Sequence, residues 1–486
     1  IASMRSSVER VLALCVVTAV MTSSELDDRE SVRSITQMYA DLVKVEGFLP
    51  IPVVTHGRII PGEDGVLTIA SMWSNRNVAL NKMVTTQRAS VIKMEEKGLH
   101  PITGWSSPLS NIDVQTIDFS TSSSRVTQLL SISEGKEKKQ YLRVMDQKNQ
   151  IELLSADLSS KAVHGTVHTS EALSFSPDEG RILYNAEKKI RTAAYFDENL
   201  EWTNEEKMRE SGIGEKYVLT ESWGESLENV RNPTLFILNI SSGEVAMCKD
   251  MPDGVSPSSA MWSPDSKGIV FVGLDDRPFR AGRTFCNNRP GKLYYYEVET
   301  AKVRVLGGIA AYESPSFSPD GKSLTFLRRK PDGPHDAVLE LCLLDWPPAD
   351  GDVPRVIVPI VSVPSSPSAF PGLSTVSAPS RRWSEDSTRL LLATAWRSSM
   401  EIVSVDVCSG RITRLTNHGE MHGSWTLLDV HGDILLASLS SPNQPPHLVI
   451  GKLSPNTSEE KVMSHSRRMI IQTFRLYGNE LSLNST

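Results

Sequence analysis

Cysteine is scarce in this chain, which has five cysteines among 486 residues. They are odd in number and widely spaced, and no two of them have a C-x-x-C spacing. This distribution excludes a disulfide framework and zinc sites made from local cysteine pairs, and it favours a reducing compartment. We therefore expect a cytoplasmic protein with free thiols. The five residues are Cys15, Cys248, Cys286, Cys342 and Cys408.

Clusters of positive charge are also lacking. The formal net charge is −7, and the neighbouring lysines Lys136, Lys138 and Lys139 are interleaved with glutamates. A nucleic-acid surface needs a concentrated basic patch. We therefore expect no nucleic-acid partner.

Long apolar runs are absent as well. A helix needs about 20 consecutive apolar residues to cross a bilayer, and no run in this chain is that long. The longest candidate is VLALCVVTAVM at 11–21, which follows Arg5 and Arg10 and has the character of a short signal-peptide core. Glu9 and the lack of a good cleavage site weigh against a working signal. We expect residues 1–22 to be a leader or a disordered tail, and we expect no membrane partner.

A complete site for nucleophilic catalysis is missing from the sequence. The G-x-S-x-G elbow of hydrolases needs glycine on both sides of the serine, because its turn is too tight for side chains. Five serines have the first glycine and lack the second: Ser106, Ser226, Ser256, Ser323 and Ser374. We expect no catalytic residue, no cofactor and no metal ion, and we predict that the chain alone has no peptidase activity.

Two histidine pairs have the i, i+4 spacing of helical metal ligands, but both fall in loop or strand context. We interpret them as surface or loop histidines. They are His164, His168, His418 and His422. Glu205 and Glu206 are similar to the paired glutamates that hold the substrate amine in dipeptidyl peptidases. A solvated helix face is the simpler interpretation of this charged stretch.

The chain does contain a repeated β corner, in which an aromatic residue precedes Ser-Pro-Asp or Ser-Glu-Asp and an apolar run follows. Proline presets a turn, aspartate can bond the local backbone, and glycine, where present, takes a positive φ. The copies are LSFSPDEGRILY (173–184), MWSPDSKGIVFV (261–272), SFSPDGKSLTFL (316–327) and RWSEDSTRLLLA (382–393). We expect their aromatic residues at equivalent places near the inner strands of successive blades. These are Phe175, Trp262, Phe317 and Trp383.

The spacing of the corners predicts an all-β fold. The shortest interval approaches the roughly 40–50 residues of one four-stranded propeller blade. We expect a β-propeller of seven four-stranded blades at 48–453. An amphipathic helix at 23–47 precedes it, and 454–486 is expected to be a truncated linker. A charged, partly helical insertion at 186–212 should interrupt the third blade, and the Pro/Ser-rich stretch 362–379 should be an inter-blade loop.

Several irregular stretches resemble one family. They are YNAEKKIRTAAYF (184–196), YVLTESWGESLENVRNPTLFILNISSG (217–243), IVFVGLDDRPFRAGRTFCNNRPGKLYYYEVET (269–300) and HGSWTLLDVHGDILLASLSSPNQPPHLVIGKL (422–453). Together they resemble the N-terminal propeller of acylaminoacyl-peptidase, a member of the prolyl oligopeptidase superfamily. The most specific part is the F-R-x-G and F-C-x-N-R pattern, made by Phe279, Arg280, Gly282, Phe285, Cys286, Asn288 and Arg289.

The resemblance implies a cytosolic serine exopeptidase that releases N-acylated residues from short peptides and commonly forms oligomers. In that family an α/β-hydrolase domain carries the catalytic triad and the propeller restricts access. No position here matches the triad. We expect the hydrolase domain to be a missing partner that contacts the apolar stripe of the 23–47 helix. The alternative is a stand-alone propeller that acts as a protein-interaction module. A secreted dipeptidyl-peptidase relative is a weaker third interpretation.

Overall fold

The computed structural model describes residues 52–453, apart from short gaps. The gaps are 78–81, 96–97, 107–112, 136, 148, 150, 160–163, 170, 172, 190–197, 215–216, 220, 285, 350, 417–421 and 443. The expected leader, the helix at 23–47 and the linker at 454–486 lie outside the described residues. So does Phe285 of the family-like motif.

The first three sheets are antiparallel and follow one another along the chain. The first contains β1 (Val53–Pro61), β2 (Val66–Asn77), β3 (Lys82–Glu95) and β4 (Gly98–Ser106), with a 3-10 turn at Glu63–Gly65. The second contains β5 (Asp113–Phe119), β6 (Arg125–Glu134), β7 (Glu137–Asp146) and β8 (Ile151–Asp157). The third contains β9 (His164–Val167), β10 (Ser174–Phe175), β11 (Arg181–Lys188), β12 (Pro233–Asn239) and β13 (Val245–Met247).

The remaining strands form one seven-stranded sheet and two three-stranded sheets. The largest contains β14 (Val255–Trp262), β15 (Gly268–Asp275), β16 (Gly291–Glu297), β17 (Val303–Phe317), β18 (Ser323–Arg329), β19 (Glu340–Asp345) and β20 (Arg355–Val358). The others contain β21 (Arg389–Trp396), β22 (Ser399–Asp406) and β23 (Ile412–Arg414), then β24 (Ser424–His431), β25 (Ile434–Ser441) and β26 (Gln444–Lys452).

Strand β17 is shared between two halves of the seven-stranded sheet. Its first half pairs with β16, from Val303 to Ala310, and its second half pairs with β18, from Ala311 to Phe317. The seven-stranded sheet counts as two blades if β17 is divided between them and as one if it is not. The expected number of seven blades therefore stays a prediction. The all-β propeller class is confirmed.

The expected charged insertion lies between β11 and β12. It contains the helix α1 (Glu205–Ser211), whose N-terminus is capped because the Asn204 side chain accepts hydrogen bonds from the Glu206 and Lys207 N–H groups at 3.1 Å. Gly212 ends the helix with a φ of 65°. Both Glu205 and Glu206 are exposed in the first turn, as expected for a solvated helix face.

Apolar residues are buried between neighbouring sheets instead of in one central core. Side chains alternate along a strand, so each sheet presents one set to each neighbour. In β15, Val270 and Val272 pack towards β18 and β19, which belong to the other half of the seven-stranded sheet. Ile269 and Phe271 pack in the opposite direction, towards β11 and β12 of the third sheet. The same arrangement joins the last sheet to the first, where Leu436 contacts the cluster around Ile59. The sheets therefore form a ring.

The repeated corners share one hydrogen-bond pattern, seen clearly at Ser263. Its hydroxyl donates to Asp265 Oδ1 at 2.6 Å and accepts from the Gly268 N–H at 2.9 Å. The same carboxylate accepts the Lys267 N–H at 3.0 Å. Burial opposes ionisation of Asp265, but these bonds and the Lys267 charge outweigh it, so the pKa of its carboxyl lies below the ordinary value. The serine and the aspartate of each corner therefore fold it locally.

The aromatic residues of the corners occupy equivalent places. Phe175 pairs with Ile182, Trp262 with Ile269, Phe317 with Leu324 and Trp383 with Leu390. In each case the partner lies seven residues further along the chain. The positive φ of the turn falls on Glu179, Ser266, Gly321 and Ser387, so glycine is used at one corner only.

The second sheet has a fifth corner that the repeated motif did not predict. Phe119 pairs with Val126, and Ser120 Oγ accepts the Arg125 N–H at 3.0 Å. Ser123 takes the positive φ, at 60°. The corner was missed because Ser120-Thr121-Ser122 has neither the proline nor the aspartate.

The proline-rich stretch is an inter-blade connection, as expected, but it is packed against the sheets. Leu373 is fully buried and bridges Leu339, while Ser377 bridges Ala393. The prolines prevent a continuous strand because they donate no hydrogen bond. This stretch therefore pairs with the sheets through isolated β-bridges and not through a continuous strand.

Candidate functional site

The connection from β15 to β16, residues 276–289, carries the family-like motif and is far longer than a hairpin turn needs. Arg280 fixes it to the preceding insertion, since its N–H donates to Glu221 Oε2 at 2.9 Å and its Nη1 donates to the Glu221 carbonyl at 2.6 Å. Nη2 also lies 3.1 Å from Asp276 Oδ2, and both side chains are largely buried. The arginine charge is therefore already paired inside the domain.

Trp223 forms the centre of this arrangement. Its side chain is 1% exposed, and the guanidinium groups of Arg280 and Arg283 lie 5.8 and 5.7 Å from its ring centroid. These distances allow cation–π attraction. Arg283 also donates to Ser258 Oγ at 2.8 Å and lies 3.4 Å from Glu171. One buried aromatic ring thus joins the insertion to the 276–289 segment.

Glycine is required where these two stretches meet. A Cβ on Gly224 would lie 2.9 Å from the Gly282 Cα, and Gly224 has a φ of 89°. Side chains rarely adopt this backbone conformation, and a clash with backbone cannot be relieved by rotating a side chain. Gly224 therefore allows the close contact between the two backbones, whereas a Cβ on Gly282, the glycine of the F-R-x-G pattern, would meet only the Trp223 carbonyl oxygen, at 4.0 Å.

The second half of the motif holds the segment to itself and to the connection from β18 to β19. Arg289 Nε donates to the Gly282 carbonyl at 2.8 Å. Asn288 is 1% exposed, and its Nδ2 donates to the Gly333 carbonyl at 2.9 Å. Cys286, which precedes Arg289 by three residues in the chain, is partly exposed. In contrast, Phe279 is 67% exposed and makes no comparable anchor.

The first histidine pair is buried, so its interpretation as surface histidine was wrong, although His168 does lie in a loop, between β9 and β10. His164 lies on β9, with Nδ1 at 2.7 Å from the Gly165 carbonyl and Nε2 at 2.7 Å from the Tyr184 hydroxyl. Burial lowers the pKa of His164, so the ring is neutral near pH 7. His168 is also buried and lies 2.9 Å from Glu187. Local sequence does not indicate this burial, because Tyr184 and Glu187 lie on a different strand, β11.

The second histidine pair is only partly described. His422 is exposed, as expected, and His418 lies outside the described residues. Within the part of the chain that the structure covers, no group of three or more His, Cys, Asp or Glu side chains is arranged to hold a metal ion. A search of the same residues finds no helix with the length and apolarity needed to cross a membrane.

A buried group of charges lies where the first and last sheets meet, and the sequence did not predict it. We call it the seam cluster; it comprises Arg58, Asp118, Arg381, Asp429 and His431. Asp429 on β24 is 1% exposed, accepts the Ile59 N–H at 2.7 Å and accepts Arg381 Nε at 2.9 Å. It also lies 3.6 Å from Arg58 Nη1.

The seam cluster also contacts the second sheet and the backbone of the first. Arg58 donates to the Ser120 carbonyl of the second sheet at 3.1 Å, and Arg381 donates to the Ile59 carbonyl at 2.7 Å. Burial raises the pKa of Asp118 to about 6, although the Arg58 charge acts in the opposite direction. Among the described strands, no ladder pairs the first sheet with the last. Packing and the seam cluster therefore close this part of the ring.

Comparison with known proteins identifies the family. A family model described as the N-terminal domain of acylamino-acid-releasing enzyme matches residues 27–474. The acylamino-acid-releasing enzyme of Rattus norvegicus is 35% identical over 339 residues, which cover 67% of this chain and 45% of the relative. That of Homo sapiens is 33% identical over 340 residues, covering 67% and 46% respectively. The chain thus spans less than half the length of these relatives.

Two solved structures of low sequence identity align with this chain. Prolyl oligopeptidase B from Galerina marginata aligns with a TM-score of 0.52 at 12% identity, covering 89% of this chain and 55% of that one. An acylaminoacyl peptidase from Pyrococcus horikoshii aligns with a TM-score of 0.47 at 12% identity, covering 82% and 51%. The likeness to the Galerina protein concerns the fold alone. On the family match and the identities to the curated relatives, the chain belongs to the acylamino-acid-releasing enzyme family, of which it carries the N-terminal domain.

Proposed function

We propose that this propeller is the substrate-gating part of an acylaminoacyl-peptidase, which releases N-acylated amino acids from short peptides. The match of residues 27–474 to the N-terminal domain of the family carries the proposal. Its partner is an α/β-hydrolase domain, which supplies the nucleophile, the base and the oxyanion hole. The propeller supplies selection by size and no catalytic group.

A gate that selects by size must keep its shape, and the packing of the ring supports this role. Clusters of apolar side chains join neighbouring sheets or the two halves of the seven-stranded sheet, and both an apolar cluster and the seam cluster join the first sheet to the last. Opening the ring at the seam would break the hydrogen bond between the Ile59 N–H and Asp429 and would separate Asp429 from Arg58. A ring of this kind admits a short extended chain and excludes a folded one.

The 276–289 segment supports contact with a second domain. The contacts between Arg280 and Glu221 bring two exposed apolar stretches to one surface. One is Phe279, and the other is Tyr217–Leu219, in which Leu219 is 88% exposed. Exposed apolar patches of this kind commonly mark interaction sites. We propose that the hydrolase domain covers part of this surface.

Co-expression with the hydrolase domain of the Rattus norvegicus relative tests the gate. The assay compares turnover of an N-acetylated tripeptide with that of an N-acetylated peptide several times longer. We expect the complex to prefer the short peptide strongly and the hydrolase domain alone to show less preference. Equal length selectivity with and without this chain would contradict gating.

Two variants of this chain, each in complex with the hydrolase domain, test whether the intact ring is responsible for the length selectivity. Arg381→Met removes a charge from the seam cluster and should raise turnover of the long peptide relative to the short one. Asp253→Asn is the matched control, because its ion pair with Arg277 is exposed and far from the seam in the sequence. Gating by the ring is refuted if both variants keep the parental selectivity.

The alternative function is a stand-alone propeller that acts as a protein-interaction module. Analytical ultracentrifugation of the chain with the hydrolase domain separates the two. A monodisperse monomer that binds no hydrolase domain would favour the module, whereas a stable complex favours the gate.

Two further properties are proposed with the gate, namely a cytoplasmic location with reduced cysteines and a homo-oligomeric complete enzyme. Glycosylation at Asn239 would contradict the location, and a monomeric complex would contradict the oligomer.

A further inference from the structure

His431, the last residue of β24, makes a contact that requires its ring to be neutral. Its Nδ1 lies 3.3 Å from Arg381 Nη1. A guanidinium nitrogen can only donate a hydrogen bond, so this ring nitrogen must accept and carries no proton. In an imidazolium both ring nitrogens are donors, and neither can accept from arginine. The contact between His431 and Arg381 therefore exists only in the neutral state of the ring.

The same guanidinium connects three sheets. Arg381 Nη2 donates to the Ile59 carbonyl of the first sheet at 2.7 Å, and Nε donates to Asp429 Oδ1 of the last sheet at 2.9 Å. Nη1, which contacts His431, also donates to Ser123 Oγ of the second sheet at 3.3 Å. A change of charge on the His431 ring therefore acts on a side chain that holds separate parts of the ring together.

The junction between the first and last sheets depends on side chains. Among the described strands no ladder joins these two sheets, and the Ile59 N–H donates to the Asp429 carboxylate at 2.7 Å instead of to a backbone carbonyl. Ile59 and Leu436 belong to an apolar cluster that also spans the junction. Apolar side chains bind no proton, so acid acts on the charged groups of the junction alone.

Four charged side chains face the His431 ring, and they belong to three parts of the chain. Arg58 lies on β1 and Asp429 on β24, whereas Arg381 and Glu385 lie on the connection that precedes β21. Burial is the largest effect and lowers the pKa of His431, and the two arginines lower it further. The two carboxylates act in the opposite direction without outweighing burial, so the pKa stays below its ordinary value.

We propose that the seam of the ring is a pH-sensitive junction, in which protonation of His431 at Nδ1 repels Arg381 and loosens the first sheet from the last. The closed junction disfavours the charged ring, so an opened junction binds the proton more readily. The contribution of His431 is therefore fully present above about pH 6.5 and is lost as the pH falls through the lowered pKa. This property belongs to the present chain and does not depend on the hydrolase domain.

Hydrogen exchange of the full chain, followed by mass spectrometry at pH 7.5 and pH 5.5, tests the junction. The parent is compared with His431→Asn, because the asparagine Oδ1 can accept from Arg381 and does not titrate. We expect equal protection of the β1 and β24 peptides at pH 7.5. At pH 5.5 the parent should be at least about threefold less protected than the variant, within the limit of about tenfold per pH unit that one proton sets.

The comparison contains its own controls. Asp118 is present in both proteins, so its opposite dependence on pH cancels from the difference. Peptides from β15, which lies away from the seam, should show no difference between the parent and His431→Asn. His422→Asn changes an exposed histidine and should match the parent at both pH values. Equal protection of parent and His431→Asn at pH 5.5 would overturn the proposal.

A second pair of proteins tests the assigned partner. In Arg381→Gln no cation faces Nδ1 at this position, so protonation of His431 should disturb the junction less. Adding His431→Asn to Arg381→Gln should therefore change the protection of β1 and β24 at pH 5.5 by a smaller factor than it does in the parent. If the factor is as large as in the parent, Arg381 is not the group that His431 repels and the proposed junction is wrong.

Discussion

Substitution of Asp429 by asparagine should destabilise the ring at its seam. Asparagine has nearly the shape of aspartate and can still accept the Ile59 N–H, so the substitution removes mainly the charge. Arg58 is 6% exposed and loses a neighbouring carboxylate, while an amide nitrogen at the Oδ1 position can no longer accept the hydrogen bond from Arg381 Nε. The two guanidinium groups then repel each other without a charge between them.

The expected loss follows from the burial of these groups. Removing one partner of a buried ion pair costs about 3–5 kcal/mol of unfolding free energy, because the remaining charge stays buried without compensation. The Arg381 side chain is 19% exposed, so water can partly solvate it. We therefore expect a loss near the lower end, about 3 kcal/mol. That is a large part of the roughly 5–15 kcal/mol that a domain has in total.

Urea denaturation of the full chain, followed by tryptophan fluorescence, measures this loss. Asp253→Asn is the matched control, since its pair with Arg277 has side chains 84% and 68% exposed, and exposed pairs contribute about 0–1 kcal/mol. A double variant that adds Arg381→Gln should lose less than the sum of the two single losses, because the charges interact directly. Equal, small losses for Asp429→Asn and Asp253→Asn would refute the reasoning.

Three further outcomes are expected. Trp262→Ala should cost about 3–5 kcal/mol in the same denaturation assay because the ring is 3% exposed, whereas Trp202→Ala, at a site 43% exposed, should cost under about 1 kcal/mol. Equal costs would show that the aromatic corner position is not part of the core. Burial raises the pKa of Asp118 in the folded protein to about 6, above the ordinary value of an aspartate, so its stabilising contribution is full below about pH 4 and is lost as the pH rises through about 6. The stability of Asp118→Asn relative to the parent should therefore rise between pH 4 and pH 7, and a constant difference would contradict the raised pKa. Finally, the purified chain alone should not hydrolyse an acetyl-amino-acid chromogenic substrate, and turnover sensitive to a serine-directed phosphonate would refute this.

The motif residues show where prediction from sequence works and where it stops. The F-R-x-G and F-C-x-N-R pattern indicated the family, and the match to the family model confirmed it. The pattern said nothing about what its residues contact. Trp223 lies more than fifty positions before Arg280 in the sequence, yet the folded chain places the two together. The contact depends on an insertion whose path the local sequence does not specify.

The sequence by itself determined the β corners and, through their repetition, the propeller class. Serine, aspartate and the paired aromatic residue act within seven positions of one another, so short-range turn chemistry and strand alternation are enough. The tertiary structure alone decided the burial of His164 and the seam cluster. Asp429 and Ile59 are separated by 370 positions, and only closure of the ring brings them into hydrogen-bond contact. Contacts of this range depend on how all the intervening sheets pack, and no local pattern encodes that.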